Sequence, residues 1–204
     1  MNQTQPLFPE ELAKESDAYR NAIDQVADVL YAVKEQLSMQ YVAVAGGCAR
    51  DLAHKVAPRD IDIVIVPQDE EDVFVLLRAL DIAHGYKIVK DFDHADGSGF
   101  LFETLAAYAY ETMQHDNRWS RVVKLEAPGK LGIDVLVSTC ESLDDAVSLF
   151  DYNINQFTIR QPYTAPRFCG ECQGVLVQNR EASVSDERVT HIQNIARTLG
   201  WSVE

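Results

Sequence analysis

Residues 41–66 read YVAVAGGCARDLAHKVAPRDIDIVIV, and the reading of this stretch decides the fold. YVAVA is rich in β-branched and aromatic residues and ends at Gly46-Gly47, the pattern of a strand followed by a tight turn. CARDLAHK reads as a short helix closed off by Pro58, and RDIDIVIVP as a second strand. Side chains alternate along a strand, so Asp60 and Asp62 point one way while Ile61, Ile63 and Ile65 point the other. Two carboxylates about 7 Å apart on one strand face repel each other when unpaired. Hard divalent cations prefer oxygen ligands, and two-metal phosphoryl-transfer sites hold their ions about 3.5–4 Å apart between such carboxylates. Taken alone, the D-x-D pattern also fits the polar edge of a half-exposed strand. The glycine pair and helix start upstream change that reading, because backbone N–H groups there approach a polyphosphate with no Cβ in the way.

Working outward, the 204 residues suit one domain of ordinary size or one domain with a short appendage. Hydrophobic residues make up 47% and charged ones 25%, a globular composition that rules out a disordered or collagen-like chain. Eighteen Lys and Arg against 32 Asp and Glu give a formal net charge of -14, which repels a polyanion unless basic residues cluster locally or a divalent metal intervenes. An acceptor RNA is therefore weakly supported by charge. The start, MNQTQPLFPEELAKES, has neither a basic nor an apolar leader region, and no apolar run reaches the length of a membrane span. A cytoplasmic protein without a membrane segment is the expectation; oligomeric state is left open. Cys48 and Cys140 fit small buried residues of a reducing compartment.

Apolar residues from Pro9 to Leu37 (Leu12, Tyr19, Ile23, Val26, Leu30, Val33) recur at helical spacing and predict an amphipathic helix over one face of a sheet. A helix is expected over residues 70–83, a short strand at YKIVKDF, a loop at DHADGSG and a helix from Phe100 to His115. SRVVKLEAPGKLGIDVLVST has two alternating runs around Ala-Pro-Gly-Lys, which predicts a β-hairpin. A short helix near Leu143–Leu149 and a last helix from Asp186 to Leu199 complete the order. Asp134, between Ile133 and Val135 on the second hairpin strand, needs a partner or a metal, or faces water at the strand end. It is the candidate third carboxylate, on a strand expected to pair beside the D-x-D strand.

GGCARDL followed by PRDIDIVIV resembles the GG-x-x-R-D and D-x-D signature of the class II poly(A) polymerase and CCA-adding tRNA nucleotidyltransferase head domain, of the polymerase β-type superfamily. The likeness runs patchily from Tyr41 to Arg160. It implies an α/β (α+β) fold, a mixed β-sheet head flanked by helices, with a head domain over residues 1–160. Residues 161–204 then form a short C-terminal helical segment resembling the start of the family's neck. By this resemblance Gly46 and Gly47 contact the triphosphate, Arg50 and Asp51 lie around the nucleotide, and Asp60, Asp62 and Asp134 hold magnesium, with manganese as the alternative. FDYNINQFTI is similar to the family's R-R-D-F-T-I-N-A segment, with Asp151 and Asn155 at the matching positions and Leu149 and Phe150 in place of the arginines. A capping pair at a turn is the structural alternative for Asp151 and Asn155. SDERVTHIQNIARTLGW resembles E-D-x-x-R and its helix: Arg188 matches, while Val184 and Ser185 stand at the acid positions and Asp186 falls one place late.

What the resemblance implies is a metal-dependent nucleotidyltransferase that transfers NMP from an NTP to a hydroxyl, with an RNA 3′ end as acceptor, in a minimal form lacking the tRNA-binding domains. The alternatives are a protein or small-molecule acceptor, or a non-catalytic nucleotide-binding or interaction module. Cys169 and Cys172 have C-x-x-C spacing, half of a zinc site, or are two cysteines in a small turn. Lys124 reads as a solvated outward lysine, with a triphosphate contact as the alternative. The five histidines read as surface or loop residues.

Overall fold

The computed structural model describes residues 9–69, 71–93, 119–179 and 184–203, with side chains from residue 17 onward apart from that of Asp93. The expected loop at DHADGSG and helix from Phe100 to His115 lie outside these residues, as does the side chain of Leu12. Helix α1 (Pro9–Lys34) leads to strand β1 (Val42–Ala45), helix α2 (Gly46–Ala53), strand β2 (Asp60–Ile65), helix α3 (Glu71–His84) and strand β3 (Lys87–Asp93). Strands β4 (Trp119–Glu126) and β5 (Gly132–Ser138) follow, then helix α4 (Leu143–Ser148), a single 3-10 turn (Asn153–Asn155), strands β6 (Phe157–Ile159) and β7 (Arg167–Phe168), and helix α5 (Asp186–Thr198).

The strands form one mixed sheet in the order β3-β4-β5-β2-β1-β6-β7. β4 and β5 make the expected hairpin, its connection turning through Gly129 at φ 73. β2 and β5 are parallel, the others antiparallel, so the D-x-D strand and the strand of Asp134 are neighbours as expected.

One sheet face is apolar over its central strands, with the Asp91–Arg121 ion pair toward the β3 edge. Val42 and Val44, Ile61, Ile63 and Ile65, Val123 and Leu125, and Ile133, Val135 and Val137 pack beneath α1, α2, α3 and α5. Alternation then directs the intervening residues to the opposite face. There Ala43, Ala45, Val64, Val66, Val122 and Leu136 pack with Trp119 and α4, while Asp60, Asp62 and Asp134 occupy the end of the same strands away from α4. One half of this face is thus a second small core, and the other half is polar and partly open.

Residues beyond 160 do not stand apart from the head. β7 adds the edge strand beside β6, and Ile192, Ala196 and Trp201 enter the same core as the sheet. The Trp201 indole N–H donates to His54 Nε2 at 2.9 Å, which leaves Nδ1–H to donate to the Arg50 carbonyl at 2.8 Å. His54 is therefore a half-buried tie between α2 and the C-terminal residues rather than a surface histidine. His84 likewise bonds the Asp28 carbonyl at 3.0 Å and links α3 to α1. The four cysteines are free.

α2 differs from expectation at its start. Instead of a turn leading to a helix, Gly46 is already the first helical residue, directly after the last residue of β1. Gly46 has φ +62, and a Cβ built there lies 2.8 Å from Asp62 Oδ2. Glycine is required on both counts, since a side chain at positive φ is strained and here also strikes a carboxylate. Gly46→Ala is expected to cost about 1–3 kcal/mol, read as a lowered midpoint in urea unfolding with an unchanged slope. Gly129→Ala has φ +73 but nothing within 4 Å of the added Cβ, and should cost only about 1 kcal/mol.

Candidate active site

Strand register assembles the acids. Asp62 stands opposite Asp134 across the parallel pair and opposite Ala45 on its other side, with Asp60 two residues earlier on the same face. Because α2 springs from Ala45, its first turn lies against the Asp62 carboxylate. The Cys48 N–H donates to Asp62 Oδ2 at 3.4 Å, and the Gly47 N–H also favours the ionised form. These contacts only partly offset the surroundings: burial, then the charges of Asp60 and Asp134, push the Asp62 carboxyl up to about 7. Burial, followed by Asp62, Asp51 and Asp60, likewise raises the Cys48 thiol, which makes it a poor nucleophile.

Lys124 is not an outward, solvated lysine. It stands opposite Asp134 on β4, and its Nζ lies 2.6 Å from Asp134 Oδ2, with both side chains partly covered. One of the three acids therefore already has a cationic partner from the protein.

A second polar group runs from α2 to α5. Arg50, 7% exposed, donates from Nε to Asp51 Oδ1 at 2.7 Å and from Nη1 to Asn155 Oδ1 at 2.7 Å. The Asn155 amide donates to Asp151 Oδ1 at 3.1 Å, and Asp151 Oδ2 accepts from Arg188 Nε at 2.7 Å. Arg50, Asp51, Asn155, Asp151 and Arg188 thus form one connected network, which satisfies the buried guanidinium. Burial raises the Asp51 carboxyl, against the pull of Arg50. Asp151 also accepts the Tyr152 N–H at 3.0 Å, so a local turn role coexists with the network.

The network and the acids adjoin at the glycine pair. A Cβ added at Gly47 falls 3.5 Å from both Arg50 Nη2 and Asp62 Oδ2. Gly46, Gly47, Arg50, Asp51, Asp60, Asp62, Asp134, Asp151, Asn155 and Arg188 are therefore gathered around the start of α2 and the adjoining sheet edge. Sequence reasoning left out Lys90, which stands opposite Lys124. Only the non-local pairing of β3 with β4 places it here.

Three carboxylates in neighbouring register supply hard oxygen donors and an excess of negative charge, which suits magnesium or manganese in donor chemistry. As they stand, no group of three or more His, Cys, Asp or Glu side chains among the described residues is gathered closely enough to hold a metal ion. Lys124 already holds Asp134 Oδ2, one of the oxygens the three acids would offer an ion. Cys169 and Cys172 diverge in setting: Cys169 packs toward the smaller core with Sγ 3.3 Å from Thr158 Oγ1, and Cys172 is exposed at φ 56.

No protein-family model matches the chain, and no curated protein matches it in sequence. Solved structures do match it in shape. A CCA-adding enzyme in complex with CTP superposes with TM-score 0.50 at 19% identity, over 97% of this chain and 40% of that one. The Thermotoga maritima CCA-adding enzyme complexed with tRNA gives TM-score 0.51 at 18% identity over the same shares. A CCA-adding enzyme with ATP gives 0.51 at 16% identity, over 97% of this chain and 41% of that one. This chain spans about 40% of the length of those enzymes, and its mixed sheet with flanking helices has the nucleotidyltransferase head fold of CCA-adding enzymes.

Proposed function

We propose that the chain is a nucleotidyltransferase that moves a nucleoside monophosphate from an NTP to a hydroxyl group, with an RNA 3′ end as acceptor. The observation that carries this reading is the direct cross-strand pairing of Asp62 with Asp134, with Asp60 on the same face and the N-terminus of α2 alongside. The fold shared with CCA-adding enzymes supports it, as do the CTP, ATP and tRNA those enzymes bind in their structures.

In this reading Asp60, Asp62 and Asp134 hold magnesium, or manganese, which when bound neutralises phosphate charge and lowers the pKa of the attacking hydroxyl. The triphosphate lies along Gly46 and Gly47, where the missing side chains let it approach the backbone. Arg50 and its network, in which two arginines balance two aspartates, hold that strand-to-helix junction in place. The acceptor oxygen forms its bond to the α-phosphorus in line with the bond to the bridging oxygen that breaks, the hydroxyl proton passes to solvent water, and pyrophosphate leaves. Most of the rate gain comes from positioning and charge rather than from covalent chemistry by the protein.

The ion pair of Lys124 with Asp134 favours a second reading, a nucleotide-binding or interaction module that neutralises part of the acidic cluster without metal. Incubation with magnesium, each α-labelled NTP in turn, and total tRNA, generic RNA or no added acceptor separates the two. The expected result is label transfer by the wild type and a loss of about 10³-fold or more in the Asp60→Ala/Asp62→Ala double variant, with its circular dichroism unchanged. Nucleotide binding by the wild type with no transfer in any lane would leave the module.

Asp62→Asn keeps an oxygen for the Gly47 and Cys48 amides but removes one of three crowded negative charges. It should raise the metal-free Tm by about 2–6 °C, the size of about 1–2 kcal/mol for a chain of this length. It should also abolish the Tm increase that magnesium gives the wild type. An unchanged magnesium response in a melting scan would remove Asp62 from the metal site.

A further inference from the structure

Direct cross-strand partners run in an unbroken line through the level of the acids. Arg167 of β7 faces Thr158 of β6, Thr158 faces Ala45, Ala45 faces Asp62, Asp62 faces Asp134, Asp134 faces Lys124, and Lys124 faces Lys90 of β3. Directly opposed residues share a sheet face, so Lys90 and Lys124 stand on the acid-bearing side. Phe92, two residues beyond Lys90, packs on the small core of that face, in agreement with the register.

On the glycine side of Asp62, Ala45 and Thr158 are without charge and the first cation is the exposed Arg167, three strands away on β7; on the far side of Asp134 two lysines follow on the next two strands. Like charges directly opposite each other destabilise a strand pair. Lys124 is compensated by Asp134 at 2.6 Å. Lys90 has no carboxylate within ion-pair distance among the described residues. Its neighbour Asp91 is engaged by Arg121, whose Nε donates to Asp91 Oδ1 at 2.8 Å, and nearby Lys87 is paired with Asp81. A lysine pair in which one member has no carboxylate partner among the described residues fits an anion bound between the two.

The side of the site on which this pair lies says which anion. In an in-line displacement the attacking hydroxyl and the leaving pyrophosphate are on opposite sides of the α-phosphorus. With the triphosphate at Gly46 and Gly47, beside β1, the hydroxyl approaches from the β5-β4-β3 side. We propose that Lys90 and Lys124 bind the phosphodiester next to the attacking 3′ hydroxyl of an oligonucleotide, and so select a polyanionic acceptor. The orientation in this proposal rests on the nucleotidyltransferase reading above. In a chain of net charge -14, a local cationic pair is what a polyanionic acceptor requires, and a neutral small molecule or protein hydroxyl gains nothing from it.

The test is direct binding of a fluorescein-labelled six-nucleotide RNA, followed by anisotropy in magnesium at several salt concentrations. It compares the wild-type chain with Lys90→Glu and Lys90→Ala, alongside calorimetric binding of NTP to the same proteins. Lys90→Glu should weaken the RNA by about ten-fold, Lys90→Ala by less, with the salt slope reduced by about one and NTP affinity unchanged. Lys90 lies on the partly covered edge strand, and circular dichroism verifies that both variants fold. RNA binding that is absent in the wild type, or equal in the wild type and Lys90→Glu, overturns the proposal. So does an equal loss of RNA and NTP binding, which would assign the lysines to the triphosphate. RNA binding that depends on Lys90 in a protein that transfers no nucleotide defeats the nucleotidyltransferase reading alone; transfer to RNA at a KM unchanged by Lys90→Glu defeats the acceptor assignment alone.

Discussion

Asp62 accepts from the Cys48 N–H at 3.4 Å while standing opposite Ala45 on one side and Asp134 on the other. Most of the site follows from that placement. The first turn of α2 must come down onto the carboxylate, so β1 has to run into the helix without an intervening loop. Only glycine fits at position 46, where φ is +62 and a Cβ would lie 2.8 Å from Asp62 Oδ2. The same placement covers the Asp62 carboxylate and sets Asp60 and Asp134 near it, and burial first, then those two charges, raise the Asp62 carboxyl to about 7. Helix amides and Lys124 share the task of holding this cluster together in the absence of an ion.

Arg50 extends the constraint across the chain. Its guanidinium is almost wholly covered, and a buried cation needs every available acceptor. Asp51 comes from the adjacent residue and Asn155 from 105 residues further on. Through Asp151 the same network reaches Arg188 on α5, so the C-terminal helix is tied to the glycine junction by polar contacts as well as by the packing of Ile192, Ala196 and Trp201. A change in α5 is therefore felt at the junction that carries Gly46 and Gly47.

The parts of this arrangement that are local in sequence were legible there. Alternation fixes Asp60 and Asp62 on one face, the glycine pair marks the end of β1, and Ala-Pro-Gly-Lys marks the hairpin that brings Asp134 in. Helix α2 was placed correctly except at its start, because composition cannot separate a turn before a helix from a helix that begins on glycine. Non-local pairing was not legible. Lys124 read as solvated because nothing near it in sequence identifies Asp134 as its cross-strand partner, and Lys90 carried no signal at all. The resemblance named Arg50, Asp51, Asp151, Asn155 and Arg188, but that they share one hydrogen-bond network follows only from the packing of the 3-10 turn and α5 against α2. Residues after 160 read as a short C-terminal segment because their tail resembles the start of the family's neck helix, and nothing in it signals packing on the sheet. A two-residue edge strand and one amphipathic helix are enough to join them to the core.

The departures at the start of α5 have a structural use. Ser185 stands where the resemblance places an acid, and its side chain caps the helix by accepting the Arg188 N–H at 3.3 Å. Val184, at the other acid position, packs against the main core. Asp186 lies one residue too late to replace either acid and sits exposed in the first turn, where a negative charge suits the helix dipole. The Arg188 guanidinium is committed through Nε to Asp151. Positions that an acid and an arginine would otherwise offer to a nucleotide base are thus used to start the helix, seat it on the core and complete the Arg50 network. Under the proposed function, base discrimination would have to come from other groups, and the charge pattern across the sheet, acids beside the glycine junction and lysines beyond them, would distinguish the two ends of the reaction.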